Sequence, residues 1–147
     1  MKKLIIRDMG EDDLPAILDI EEISFSIPWS KQDFLNEMYK KSALSKVAVF
    51  EGNIIGYICL NFRLQECHIL NLAVQPDFRR QGVASVLMEE AMMELKKRGC
   101  VFMYLKVRVS NTGAQRFYEL FGFKAEGIRK KYYDYPDEDA LMMMKRL

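Results

Sequence analysis

Hydrophobic positions along the chain switch between a period of two and a period near 3.6, and the switches mark the elements. Lys3 to Arg7, rich in isoleucine, predicts a short first strand. Asp8 to Gly10 punctuates it. Glu11-Asp12-Asp13 then places acidic residues where a helix N-terminus favours them, and Leu14, Ile17, Leu18 and a later Ile20-Ile23 set form an apolar stripe. This helix should stop by Ser26-Ile27-Pro28. After Trp29, Ser30 with Asp33 three residues on predicts a capped second helix through Phe34, Leu35 and Met38 toward Tyr39. Residues 46–50 and 54–62 predict two strands joined by Glu51-Gly52-Asn53, and a third strand runs from Glu66 to Val74. Val83, Val86, Leu87, Ala91 and Leu95 at helical spacing predict a long helix to Arg98, with Gly99 just beyond its end.

Val101 to Val109 is apolar enough for a central strand. Ser110-Asn111 caps a helix carrying Ala114, Phe117, Tyr118 and Phe121, which Gly122 breaks. The tail from Phe123 alternates and is rich in aromatics, then closes in a last strand at Ala140 to Met144. The order strand, two helices, three strands, helix, strand, helix, two strands predicts a single mixed α/β domain over residues 1–147, with helices on a twisted sheet.

Composition narrows this picture. At 147 residues the chain suits one compact domain able to bury roughly 70% of its unfolded surface. A formal net charge of +1 and a pI near 7.6 give no global pull toward nucleic acid or an acidic membrane, so any anion binding must be local. Cys59, Cys67 and Cys100 are odd in number and lack paired metal spacing. With one histidine they cannot make a usual zinc set, so no metal is expected and the expected setting is reducing cytoplasm. No apolar run approaches the roughly 20 residues that span a bilayer, and the N-terminus turns polar too soon for a signal peptide, so the chain is expected to be soluble and unprocessed.

The first candidate chemistry lies between the apolar stretch Ile69 to Val74 and the long helix. Arg79-Arg80-Gln81-Gly82-Val83-Ala84-Ser85 joins a strand to a helix whose first amides have no intrahelical acceptor and whose dipole adds partial positive charge. Such a turn can cradle phosphate. Gly82 lets the backbone approach an anion closely, and the two arginines add full charge. A turn of this kind also serves ordinary packing and solvation.

Arg79, Gly82 and Ala84 match the pyrophosphate-binding consensus of the Gcn5-related N-acetyltransferase superfamily, and the chain resembles that family over almost its whole length. Within it, the chain is similar to the RimI-type ribosomal-protein alanine N-acetyltransferases. The matching pieces are Pro28-Trp29-Ser30, His68 to Val74, Val107 to Asn111, Phe117-Tyr118-Glu119 with Gly122-Phe123, and Tyr132-Tyr133 followed by Glu138-Asp139-Ala140. The resemblance implies a sheet with a splayed central strand pair, in which Leu72, Ala73 and Val74 offer free backbone groups to the pantetheine arm of acetyl-CoA. It implies that residues 80–85 surround the pyrophosphate, that Asn111 contacts the cofactor, and that Tyr118 is the general acid near the sulfur. Phe25 to Trp29, with Tyr132 and Tyr133, would wall a slot for a peptide N-terminus. The family's type acceptor is the N-terminal alanine of ribosomal small-subunit protein number 18. A ribosomal protein is thus the expected partner, with no direct nucleic-acid or membrane contact.

The base is where the chain departs from its family. RimI-type enzymes commonly carry glutamate before Val107-Arg108, and here stands Lys106. A protonated lysine about 4 Å from a substrate ammonium would repel it by roughly 4 kcal/mol at an effective dielectric of 20. Either Lys106 is neutral and itself a base, or its charge points out of the site; the second is favoured. His68 then becomes the candidate base, with Glu66 two residues away on the same strand face, roughly 7 Å along the chain. An α-amine of pKa near 8 is about a tenth neutral at pH 7, whereas a lysine side chain is neutral to less than about a thousandth, so an N-terminal acceptor asks least of a doubtful base. Two other readings stay open: an acetyltransferase of small amines, and an acyl-CoA-binding module without catalysis.

Overall fold

A computed structural model describes residues 3–147. β1 (Leu4–Asp8) leads through a short turn of 3-10 helix at Glu11–Asp13 into α1 (Leu14–Ser24) and α2 (Lys31–Met38). β2 (Ala43–Phe50), β3 (Asn53–Arg63) and β4 (Glu66–Val74) follow as an antiparallel run. Then come α3 (Val83–Lys97), β5 (Phe102–Arg108), α4 (Thr112–Leu120), β6 (Lys124–Tyr133) and β7 (Glu138–Arg146). The order of elements is the one the apolar periodicity predicts. β2 starts three residues earlier than expected because Leu44 is buried opposite Leu60 and carries the strand back to Ala43. The cap of α2 is the expected one: the Ser30 hydroxyl accepts from the Asp33 amide at 3.1 Å, and the Asp33 carboxylate accepts from the Ser30 amide at 2.9 Å.

The strands form one sheet in the order β1-β2-β3-β4-β5-β7-β6, parallel only between β4 and β5. Each face carries a core. Leu87, Met88, Ala91 and Leu95 of α3 pack against Ile58, Leu60, Ile69 and Leu105, while Leu14, Ile17 and Ile20 of α1 and Phe34 of α2 pack against Val47, Tyr57 and Cys59. Burying each such side chain contributes about 1.5–3 kcal/mol. Gly56 is what lets α3 lie close to β3. A Cβ there would stand 3.2 Å from the Ala73 carbonyl and 3.3 Å from both Leu87 and Val83. Cys59, Cys67 and Cys100 are buried free thiols.

The sheet opens in its middle. β4 and β5 pair only at Glu66–Phe102, Cys67–Met103 and His68–Tyr104. Beyond that point β5 continues along β7 as far as Arg108–Ala140, and β4 continues along β3 as far as Val74–Gly56. The two strands therefore part after His68, as the expected splayed pair requires. A register shift falls at the same place: Cys59 faces Asn71 and Leu60 faces Ile69, which leaves Leu70 as the extra residue of a bulge. The bulge turns Asn71 toward α1. β6, expected to alternate, is instead exposed from Lys124 to Tyr132, because it is the outermost strand of the sheet.

Candidate active site

The loop between β4 and α3 is shaped by backbone conformation rather than by side-chain charge. Arg80 (φ +61°) and Gly82 (φ +84°) both lie in the left-handed region, and Gly82 is the N-cap of α3 without a side-chain cap. The amides of Gln81, Gly82, Val83, Ala84 and Ser85 have no acceptor among the described residues, so five consecutive donors are available beside the positive end of the α3 dipole. That arrangement fits a diphosphate. Arg79 differs from expectation. Its guanidinium donates to the Val74 carbonyl at 3.0 Å and the Ser24 hydroxyl at 3.2 Å, so it ties the loop to the ends of β4 and α1. Gln81 donates to the Asp77 carbonyl at 3.1 Å and braces the same loop.

Leu72, Ala73 and Val74 pair with Ile58, Tyr57 and Gly56 on one side and, among the described residues, with no strand on the other. A cleft of about 570 Å³ lies along the opened strands. Phe25, Ile27 and Trp29 wall it from the α1–α2 connection, Tyr132 and Tyr133 from the end of β6, and His68, Lys106, Arg108 and Asn111 from the sheet and the start of α4. The acceptor-slot residues and His68 are thus brought together in one cavity. Trp29 also packs edge-on against Phe34, ring centroids 5.1 Å apart, and Tyr132 against Tyr133 at 4.9 Å. Asn111 both lines the cleft and caps α4, its side chain accepting from the Ala114 amide at 3.1 Å.

His68 stacks on Tyr104 with centroids 5.3 Å apart, and its Nε2 lies 4.0 Å from a Glu66 oxygen, so the two share a face as predicted. Partial burial and the nearby Lys106 cation hold its pKa below the ordinary imidazole value, against a weaker pull from Glu66. The ring is therefore mainly neutral at pH 7. Lys106 corrects the favoured expectation, since it does not turn out of the site. Tyr104, Lys106 and Arg108 alternate onto the cleft face of β5 while Met103, Leu105 and Val107 fill the core, and Lys106 Nζ rests 5.5 Å from the centroid of Tyr132. Tyr118 stands apart from this wall. It packs edge-on against Phe117 (5.3 Å) and Phe123 (5.6 Å) on α4, where burial and the neighbouring Tyr133 push its phenol pKa upward and keep it protonated.

Three further residues organise the cleft. Glu21, 1% exposed, accepts from the Tyr57 hydroxyl, from Asn71 Nδ2 at 2.9 Å and from the Trp29 amide at 2.9 Å. One carboxylate thereby joins α1, β3, β4 and the loop that bears Trp29. Arg108 stacks over Tyr133 at 4.5 Å and donates to the Pro136 and Asp134 carbonyls, to Glu138 and to the Ser26 hydroxyl at 2.9, 3.0, 3.2 and 3.1 Å. It clamps the β6–β7 turn to the α1–α2 connection. Glu138 in turn accepts from the Ser110 amide at 2.6 Å, a bond that, with Arg108, holds its pKa below the usual carboxylate range. Glu21 was legible in part: it stands seven residues after Leu14 and four after Ile17, on the buried stripe of α1. The partners of Arg108 were not, because they come from two distant loops.

A mixed sheet parted between two parallel strands, next to a loop of unpaired amides, is the arrangement that the resemblance to the Gcn5-related N-acetyltransferases implies for enzymes that take an acetyl group from acetyl-CoA. Comparison with known proteins agrees. Residues 14–123 match the acetyltransferase (GNAT) family. The chain is 36% identical to the [ribosomal protein bS18]-alanine N-acetyltransferase of Escherichia coli, over 94% of each chain. It is 37% identical to the enzyme of the same name from Haemophilus ducreyi, over 95% of this chain and 97% of that one. The crystal structure of the ribosomal-protein-S18-alanine N-acetyltransferase from Escherichia coli superposes with a TM-score of 0.92, at 33% identity, over 98% of this chain and 94% of that one. The chain belongs to the acetyltransferase (GNAT) family, whose members transfer acetyl groups from acetyl-CoA.

Proposed function

We propose that the protein acetylates the α-amine of a protein N-terminus in the cytoplasm, with the N-terminal alanine of ribosomal protein bS18 as its acceptor. The observation that carries this reading is the likeness, over nearly the full length of both chains, to enzymes named for that reaction. The cleft is in keeping with it. Its walls of Phe25, Trp29, Tyr132 and Tyr133 are aromatic and set apart by a slot that suits an extended peptide end.

In this reading the free edge of Leu72 and Ala73, with the Val74 groups that Arg79 leaves unbonded, bonds the amide-rich arm of acetyl-CoA, and the amides of residues 81–85 bond its diphosphate. The acceptor nitrogen loses a proton to neutral His68, through water, and attacks the thioester carbon. The carbon–sulfur bond breaks and Tyr118 returns a proton to the departing thiolate. Glu66 steadies the imidazolium that forms. Thiol release from acetyl-CoA, followed with matched peptides whose N-terminus is free or blocked, tests the assignment. Release with the free peptides alone supports it, and release with blocked peptides or with simple diamines instead contradicts it.

A further inference from the structure

The β3–β4 hairpin carries a side chain that the fold itself does not use. Its turn is Leu64-Gln65, between the paired Arg63 and Glu66, and Leu64 sits at φ +57°, a conformation that glycine, asparagine or aspartate adopts at least cost. A leucine there is strained, and at 85% exposure it gains almost no burial in return. The turn is nonetheless firmly held. The Gln65 carbonyl accepts from the Val101 amide at 2.8 Å and from the Phe102 amide at 3.1 Å, which pins the hairpin to the start of β5. Between the hairpin and Phe102 lies a second hollow of about 710 Å³, and it shares Asn61 and His68 with the acceptor cleft. The rings of His68, Tyr104 and Phe102 follow one another at 5.3 and 6.4 Å and lead from the cleft toward the hollow.

At the far end of β5 the cleft is bridged, because Arg108 joins the β6–β7 turn to Ser26. A peptide whose first nitrogen lies at His68 therefore leaves over the hairpin. His68 and Glu66 are about 7 Å apart along β4, the rise of two extended residues, so the third or fourth residue of that peptide reaches the hollow. Resting on the reading of the protein as an N-terminal acetyltransferase, we propose that this hollow is a subsite for the third and fourth residues of the acceptor, where Leu64 and Phe102 select a large apolar side chain. The charged residues that line it, Arg63 and Glu66, are opposite in sign, so apolar contact rather than net charge sets the preference. The exposed face of Leu64 is the surface that the bound peptide covers, and the pinned turn presents it without an ordering cost.

The test uses the full chain and two series of peptides beginning with alanine, identical except for phenylalanine or serine at the third or fourth residue. The wild-type protein should show kcat/KM about five- to tenfold higher for the phenylalanine peptides. Leu64→Asn keeps a residue that tolerates the left-handed turn and removes the apolar side chain. It should bring the phenylalanine peptides down to the level of the serine peptides, while the serine peptides, KM for acetyl-CoA and the melting temperature stay as in the wild type. Equal use of both series by the wild type, or a phenylalanine advantage that Leu64→Asn leaves in place, overturns the proposal while leaving N-terminal acetylation intact. Failure to acetylate any peptide with a free N-terminus overturns both.

Discussion

Lys106 and His68 face each other across the opened strands, and their charges are linked. Burial first and the ammonium second disfavour the imidazolium, so the His68 pKa lies below its ordinary value, and removing the ammonium should raise it. His68 is the only histidine in the chain, so a single imidazole signal followed by NMR against pH reports the shift without assignment work. In Lys106→Met the midpoint should move up; a fixed midpoint would show that the two side chains do not interact. With His68 as base, the acidic limb of the rate profile moves up in pH together with that midpoint. Tyr118→Phe tests the other proton transfer. It should lower kcat by about 10²-fold or more with KM for acetyl-CoA nearly unchanged. At this scale the sequence announced residue types but not directions. Alternation along β5 places Lys106 on the face of Tyr104 and Arg108, yet whether that face was open or covered depended on where β4 and β5 part.

The connection between α1 and α2 and the loop before α3 do the positioning. Glu21 fixes the first by holding the Trp29 amide, while Tyr57 and Asn71 hold Glu21. Glu21→Ala leaves three donors without their acceptor, each at about 1–3 kcal/mol if it stays dry, so the fold loses stability and the wall bearing Trp29 loosens. KM for the peptide should rise several-fold while KM for acetyl-CoA holds. Emission from Trp29, the only tryptophan, should move to the red. An unchanged spectrum and unchanged peptide KM would remove Glu21 from the account. The second loop depends on Gly82 at φ +84°, where a Cβ meets no neighbour but the backbone itself resists, at about 1–2 kcal/mol. Gly82→Ala should accordingly raise KM for acetyl-CoA by about fivefold or more, with peptide KM little affected; an unaltered KM would show that this turn does not shape the cofactor site. The turn was legible because glycine and a following apolar helix are local signals. The engagement of Arg79 with Val74 and Ser24 was not, since nothing in a short motif tells which way a guanidinium folds.

Across the whole molecule, the succession of elements follows from periodicity, caps and turn residues that act within a few positions of each other. The strand order does not. That β7 takes one edge of β5 while β4 leaves the other after His68 is a long-range outcome, and only resemblance to a known family foretold the opening. The same opening supplies an unpaired strand edge, a loop of free amides and an aromatic slot, and among the described residues no helix is long and apolar enough to cross a membrane. The central claim is that these parts bring a thioester to an uncharged terminal nitrogen. Mass spectrometry of a peptide with the bS18 N-terminal sequence, after incubation with the protein and acetyl-CoA, tests it most directly. Fragmentation should place one acetyl group on the α-nitrogen of the first alanine. An unmodified peptide, or an acetyl group carried only by lysine side chains, would contradict the account.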